Sequence, residues 1–336
     1  MKRSAMELVC PAGGLPALRA AIDQGADSVY IGLRDDTNAR NFPGLNFDPA
    51  TAERALDYAH RRQRKVFLAL NTYPQVQHPE IWQRAVDLGA ELGVDALILA
   101  DIGLLDYARR RHPTLRLHLS VQASATTHQA IAYYRDRFAI ERVILPRVLS
   151  LRQVQRVVEG CGVEVEVFGF GSLCVMVEGR CLLSSYITGE SPNTKGVCSP
   201  AHAVRWEERG GQHQSRLNGV LIDACSGSER AGYPVVCKGR FAVNGRIDYA
   251  IEEPTSLSVL DLLPQLQSAG VAAIKVEGRQ RSPRYVAQVT TLLRRALNAC
   301  AADLEHFQVD PAWSQGLAQL AEGSTHTLGA LDRSWQ

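Results

Sequence analysis

The chain has 336 residues, 46% hydrophobic and 21% charged, and its 37 Lys and Arg against 35 Asp and Glu give a formal net charge of +2. Those values fit a globular protein with a full core and room for one inserted subdomain, and they give no electrostatic case for nucleic acid or a membrane surface. The most apolar window, ALILADIGLL, is ten residues long and contains Asp101, so no membrane span is expected.

In chain order, MKRSAMELVC runs straight into a strand-like segment with no apolar signal region, which predicts a cytoplasmic protein. In that reducing setting eight cysteines are thiols or metal ligands rather than disulfides. ELVCPAG (7–13) reads as a first strand and LPALRAAIDQG (15–25) as a helix stopped by Gly25. The rhythm repeats through strands at 28–33, 65–72, 96–101, 115–124, 142–147 and 163–171, each but the last followed by a segment of helical period. It then breaks at the seventh strand. LSVLDLLPQLQSAG (257–270) is predicted as a helix, VAAIKVEGR (271–279) as an eighth strand, and RYVAQVTTLLRRALNAC (284–300) as a closing helix. Eight strand–helix units are what a (β/α)8 TIM-like barrel needs, complete or incomplete in its closure; no G-x-G-x-x-G follows the first strand to favour an open doubly wound sheet. The organisation expected is barrel units at 1–171, a cysteine-bearing insertion at 172–256, the last barrel units at 257–300, and a polar C-terminal extension at 301–336. Within the insertion, Gly-Gly at 210–211 and Asn-Gly at 244–245 predict hairpins.

Barrel strands alternate between helix layer and lumen, and the catalytic face of such barrels lies at the strands' C-terminal ends. With the apolar residues packed on helices, Asn71, Asp101, Gln122, Arg147, Glu166, Lys275, Glu277 and Arg279 fall around one mouth. Its cations could hold a carboxylate or phosphate, arginine with a two-pronged grip. Arg147, Glu166, Lys275, Glu277 and Arg279 are the catalytic candidates; the competing expectation is that Glu166, Glu277, Lys275 and Arg279 neutralise one another as interior ion pairs.

Cys161 and Cys300 sit in helix-face contexts expected of packing residues, Cys225 reads as structural, and Cys10 ends the first strand near the mouth. Cys174, Cys181, Cys198 and Cys237 keep different company, each beside glycine or proline or close to one, all within the insertion. Their spacing, C-x6-C-x16-C-x38-C, is neither a zinc ribbon nor a bacterial ferredoxin run, and four thiolates suit zinc or an iron–sulfur cluster equally.

The segment EVFGFGSLCVMVEGRC (166–181) resembles the signature of the collagenase-like peptidase family, with Glu178-Gly179 where the signature usually has Ser-Gly. The resemblance continues through CPAG at 10–13, GADSVYIGL, DDTNARNF, LADIGLL, SVQASAT, VILPRVLS, SYITGESPNT, CKGR, EEPTSLS and KVEGRQRSP, nearly the whole chain. Within the family it is most similar to the branch serving oxygen-independent ubiquinone biosynthesis. That resemblance implies a [4Fe–4S] cluster on Cys174, Cys181, Cys198 and Cys237, a heterodimer with a UbiV-like paralogous subunit, and hydroxylation of the quinone ring without molecular oxygen. Relatives that hydroxylate RNA imply prephenate, a dicarboxylate, as oxygen donor, so a quinone precursor or small carboxylate is the expected ligand. The competing expectations are a peptidase with cysteine nucleophiles or zinc ligands, and a non-catalytic cluster-bearing scaffold.

Overall fold

The computed structural model describes residues 5–192, 197–227, 229 and 232–333. Asn193 and Thr194 of the SYITGESPNT motif lie outside them. Strand and helix alternate through β1 (Glu7–Pro11), α1 (Leu15–Asp23), β2 (Ser28–Ile31), α2 (Pro49–His60), β3 (Lys65–Leu70), α3 (Glu80–Leu92), β4 (Ala96–Leu99) and α4 (Ile102–Arg111). They continue through β5 (Leu117–Leu119), α5 (His128–Phe138), β6 (Arg142–Ile144), α6 (Leu151–Cys161) and β7 (Glu164–Ser172). The helices start where side chains satisfy orphan backbone amides: Asp48, Asp101 and Thr127 cap α2, α4 and α5, and Ser150 with Gln153 forms a capping box on α6.

Far downstream, β14 (Ala273–Val276) lies parallel to both β1, with Leu8 opposite Ile274, and β7, with Ala273 opposite Glu166. Strands β1 to β7 with β14 therefore form a closed parallel barrel of eight strands, wrapped by the helices. The strands are buried on both faces, which is why they read as near-continuous runs such as VFLAL. The expected (β/α)8 architecture is the one observed, and the barrel closes.

Two expectations change. Residues 257–270 are not one helix: Ser256–Ser258 forms β13, antiparallel to the outer end of β7 with Leu257 opposite Gly171, and only Leu263–Ala269 (α8) is α-helical. Strand β7 outruns its barrel neighbours, so its end offers free backbone groups that β13 pairs, and the short LSVL pattern suits either period. The C-terminal stretch is also more than a polar tail. After the long helix α9 (Pro283–Ala302), α10 (Pro311–Leu320) packs on α9 and β15 (His326–Thr327) pairs with β13.

Between β7 and β13 the chain forms the short helix α7 (Leu183–Thr188), an antiparallel sheet of β8 (Val204–Arg209), β9 (Gln212–Leu217) and β10 (Val220–Ser226), and the hairpin of β11 (Arg240–Val243) with β12 (Arg246–Tyr249). The turns fall at Gly210-Gly211, Asn218-Gly219 and Asn244-Gly245, all with positive φ, as two-residue hairpin turns require. A second small core of Ala203, Leu217 and Ile222 holds this region, joined by Ile187, Val236 and Phe241.

Candidate functional site

A pocket of about 130 Å³ opens at the C-terminal end of the barrel. Its floor and walls come from the barrel: Tyr30, Asn71, Ser120, Gln122, Arg147, Phe168, Lys275, Glu277 and Arg279. Its far side comes from the insertion, which contributes Cys174, Glu178, Gly179, Cys181, Pro192 and Cys198. The insertion is seated on the rim by Glu178-Gly179. Ser124 Oγ donates to the Glu178 carbonyl at 2.6 Å, and Gly179, at φ 87°, lies so close to the Gln122 carbonyl that a Cβ would overlap it. Tyr73 clamps the same carbonyl from the other side with its hydroxyl at 2.8 Å.

The charges of the mouth divide by how they are compensated. Arg147 Nε donates to Glu178 Oε1 at 2.7 Å, Nη1 donates to the Ser172 carbonyl, and the guanidinium lies 4.3 Å from the Phe168 ring centre. Burial works against its charge, but Glu178, Cys174 and Glu277 together outweigh that and raise its pKa. Lys275 Nζ donates to Glu166 Oε1 at 2.8 Å and stands 3.9 Å from the Tyr30 ring centre. Burial lowers its pKa despite Glu166. Glu277 is half-buried, and although desolvation works against its charge, Arg40, Arg147 and Arg281 together hold its carboxyl below the usual range. Arg279 differs. It is 6% exposed, its one hydrogen bond runs from Nη1 to Asn38 Oδ1 at 2.8 Å, and no carboxylate among the described residues lies within ion-pairing distance. Burial pulls its pKa down to about 10, the mark of a desolvated cation with weak compensation.

Of the sequence-derived rim, the structure brings Asn71, Gln122, Arg147, Lys275, Glu277 and Arg279 to the pocket. Glu166 lies beneath it, fully buried between Lys275 and Arg142, so for Glu166 and Lys275 the interior ion pair is what is found. Asp101 does not border the pocket: β4 ends at Leu99, and the Asp101 side chain accepts from the Leu104 amide as the N-cap of α4. Two charged residues of the site were not singled out from sequence. Arg40 sits in the polar loop after β2, and nothing local marks it. Glu178 had a signal, as the charged residue where the family signature usually has serine, but its partner Arg147 comes from the turn after β6.

The cysteines separate by environment. Cys10, Cys161, Cys225 and Cys300 are buried; Cys10 bonds Thr290 of α9 at 3.2 Å, on the helix side of the barrel and away from the lumen. Cys174, Cys181, Cys198 and Cys237 are half-buried and free of disulfides, and Cys198 lies within electrostatic reach of the other three. Burial pushes the Cys174 thiol up to about 12 and that of Cys237 to about 11, and it raises Cys198 as well. Among the described residues no three His, Cys, Asp or Glu side chains are spaced to hold a single ion. Four cysteines, with Cys198 within electrostatic reach of the other three, are a donor set that suits zinc or a four-cysteine cluster.

Fold and site together define a closed (β/α)8 barrel protein whose mouth pocket is shared between barrel cations and an inserted cysteine-bearing segment. The sequence profile of peptidase family U32 matches residues 13–330, and the chain belongs to that family. It is 30% identical to "tRNA hydroxylation protein P" of Escherichia coli (strain K12), with 88% of this chain and 68% of that protein covered. It is 26% identical to "tRNA hydroxylation protein P1" of Bacillus subtilis (strain 168), covering 96% of this chain and 70% of that one. It is also 27% identical to "Collagenase" of Porphyromonas gingivalis (strain ATCC BAA-308 / W83), covering 93% and 70%. The chain thus spans about two thirds of the length of these relatives. Among solved structures, that of the U32 peptidase Mk0906 aligns with a TM-score of 0.43 at 16% identity, over 51% of this chain and 72% of that one.

Proposed function

We propose that this chain is the iron–sulfur subunit of a heterodimer that hydroxylates the aromatic ring of a ubiquinone precursor without molecular oxygen. One observation carries the reading: Cys174, Cys181 and Cys198 open onto the same pocket as Arg40, Arg147 and Arg279. Cluster ligands and anion-binding side chains sharing one cavity is the arrangement that chemistry on a small organic acid would use. The relatives named for tRNA hydroxylation, and a 30% identical "23S rRNA 5-hydroxycytidine C2501 synthase" of Escherichia coli (strain K12), support a role in hydroxylation. A net charge of +2 gives no positive electrostatic argument for a phosphate backbone.

Cys174, Cys181, Cys198 and Cys237 would hold the [4Fe–4S] cluster, which supplies one-electron or Lewis-acid chemistry when bound. The chain's own residues do the rest. Arg147 and Arg40 place positive charge against the thiols of Cys174 and Cys198, stabilising their ionised form. Phe168, Tyr30 and Ile144 wall the pocket with apolar surface that excludes water around a ring. Prephenate as oxygen donor, and a UbiV-like subunit as partner, complete the proposal. Proteolysis by a cysteine nucleophile finds less support, because no histidine among the described residues lines the pocket beside these cysteines to act as base.

The test is anaerobic purification followed by ultraviolet–visible and EPR spectra and iron and sulfide analysis. A brown chain with matched iron and sulfide is expected, its chromophore lost in Cys174→Ala or Cys237→Ala and kept in Cys161→Ala and Cys300→Ala. Stoichiometric zinc without sulfide would sink the cluster. A deletion strain should lose quinone synthesis only without oxygen, and unimpaired anaerobic synthesis would reject the pathway assignment.

A further inference from the structure

Each cation lining the mouth can be followed to what already holds it. Lys275 is committed to Glu166 beneath it, at 2.8 Å. Arg147 is committed on two sides, to the Glu178 carboxylate at 2.7 Å and to the Ser172 carbonyl. Arg40 borders the pocket and is likewise engaged. Only Arg279, which the chain buries against Tyr30 and Asn38, meets no carboxylate at ion-pairing distance among the described residues. A buried guanidinium is costly unless an anion pairs with it, so this one is built for an anion that arrives from outside.

Glu178 is the other half of the arrangement. It is 7% exposed, it reaches the pocket from the insertion rather than the barrel, and its Oε2 is buried without a hydrogen-bond partner among the described residues. Its carboxylate stands where the carboxylate of a ligand would stand if Arg147 were open. A second acidic group in the pocket would lose Arg147 as a partner and meet Glu178 and Glu277 as like charges.

We propose that Arg279 is the anion-binding residue of the mouth and that Glu178 is its specificity determinant, restricting the pocket to a small monocarboxylate with an apolar body. The apolar body lies against Tyr30, Phe168, Ile98 and Ile144, which line the same space. Glu178 acts by exclusion: it occupies Arg147 and so makes dicarboxylates poor ligands. In the heterodimer, a dicarboxylate oxygen donor is then bound by the partner subunit. The specificity itself does not depend on the cluster, so it can fail or stand separately from the hydroxylation reading.

The experiment is calorimetric titration of the full chain, purified anaerobically, with benzoate and with benzene-1,3-dicarboxylate at neutral pH. Benzoate is expected to bind at least about tenfold more tightly, the scale of one charge-assisted pairing. Arg279→Gln should abolish benzoate binding. Glu178→Gln should shift the ratio toward the dicarboxylate by at least about tenfold, while Glu178→Asp keeps the preference. Should Glu178→Gln fail to fold, the double change Arg147→Gln with Glu178→Gln removes the second cation as well and is expected to keep the monocarboxylate preference. Equal or tighter binding of the dicarboxylate by the unmodified chain overturns the proposal. So does benzoate binding unchanged in Arg279→Gln, or no measurable binding of either acid. Iron and sulfide content measured on the same samples separates this outcome from failure of the cluster assignment.

Discussion

The two ends of the barrel lumen use the same residue types to opposite ends. At the N-terminal end, Glu7, Lys65, Arg142 and Glu164 are the first residues of β1, β3, β6 and β7, so strand register alone brings them together. Arg142, 1% exposed, donates to Glu7 at 2.7 Å, to Glu164 at 2.7 Å and to Glu166 at 3.1 Å, while Lys65 closes on Glu7 and Arg116 on Glu164. Every charge there has a partner inside the protein. At the C-terminal end Arg279 bonds only the neutral Asn38 and meets no carboxylate among the described residues, and Glu178 is imported from the insertion to occupy Arg147. A closed network plugs the barrel, and an open one leaves work for a ligand. His118, between the two layers, shows how little room the plug leaves: burial and the cations below hold it neutral, with its ring edge-on to Phe67 at 4.7 Å.

The largest expected effect comes from breaking the plug. Arg142→Met strands Glu7, Glu164 and Glu166 together, and breaking a buried pair by removing one partner costs about 3–5 kcal/mol. Urea unfolding of the variant should show that loss. Arg279→Met, which unpairs no carboxylate, should leave the unfolding midpoint nearly unchanged or raise it, while removing anion binding. Similar losses at both ends would mean that Arg279 is structural and the comparison is false.

This contrast was only partly legible in the sequence. Eight strand–helix units and period-two alternation were enough to place Lys275 and Glu166 inward. Alternation gives the face but not the depth, so Glu166, one layer down, read as a rim residue beside Arg279. Arg142 went unremarked because a charge at a strand start is ordinary at a surface, and only closure of the ring makes it interior. Asp101 misled because an acidic residue after a strand is equally a rim residue and a helix cap. The insertion's hairpins were visible in Gly-Gly and Asn-Gly, whereas β13 depends on the free end of β7, a tertiary condition no local pattern carries.

The next effect concerns how the insertion reaches the mouth. Gly179→Ala puts a side chain at φ 87° and against the Gln122 carbonyl, so Glu178 must withdraw from the rim. Left-handed strain and the overlap together cost about 1–3 kcal/mol. Because the strain is local, it should free the insertion before it unfolds the barrel. Limited proteolysis should then cut within 172–200 faster than in the unmodified chain, while cleavage within the barrel stays as before. An unchanged pattern would show that the seat at Gly179 does not hold Glu178 on Arg147.

The smallest effect is a slope. Burial alone would raise the Glu7 and Glu164 carboxyls, but Arg142 with Lys65 at the first, and Arg142 with Arg116 at the second, hold both below their usual 4.5. Groups with depressed folded values contribute stability that is present above the unfolded value and lost as pH falls through the folded one. The unmodified chain should therefore lose stability steadily between about pH 5 and pH 3, read from urea midpoints across that range. Arg142→Met removes the cation that both carboxylates share, so its slope should flatten even though its stability at neutral pH is lower. Arg279→Met touches no carboxylate and should keep the parent slope. If instead Arg279→Met flattened the acid limb as much as Arg142→Met, the mouth cation would be paired after all, and the division between plug and pocket would collapse.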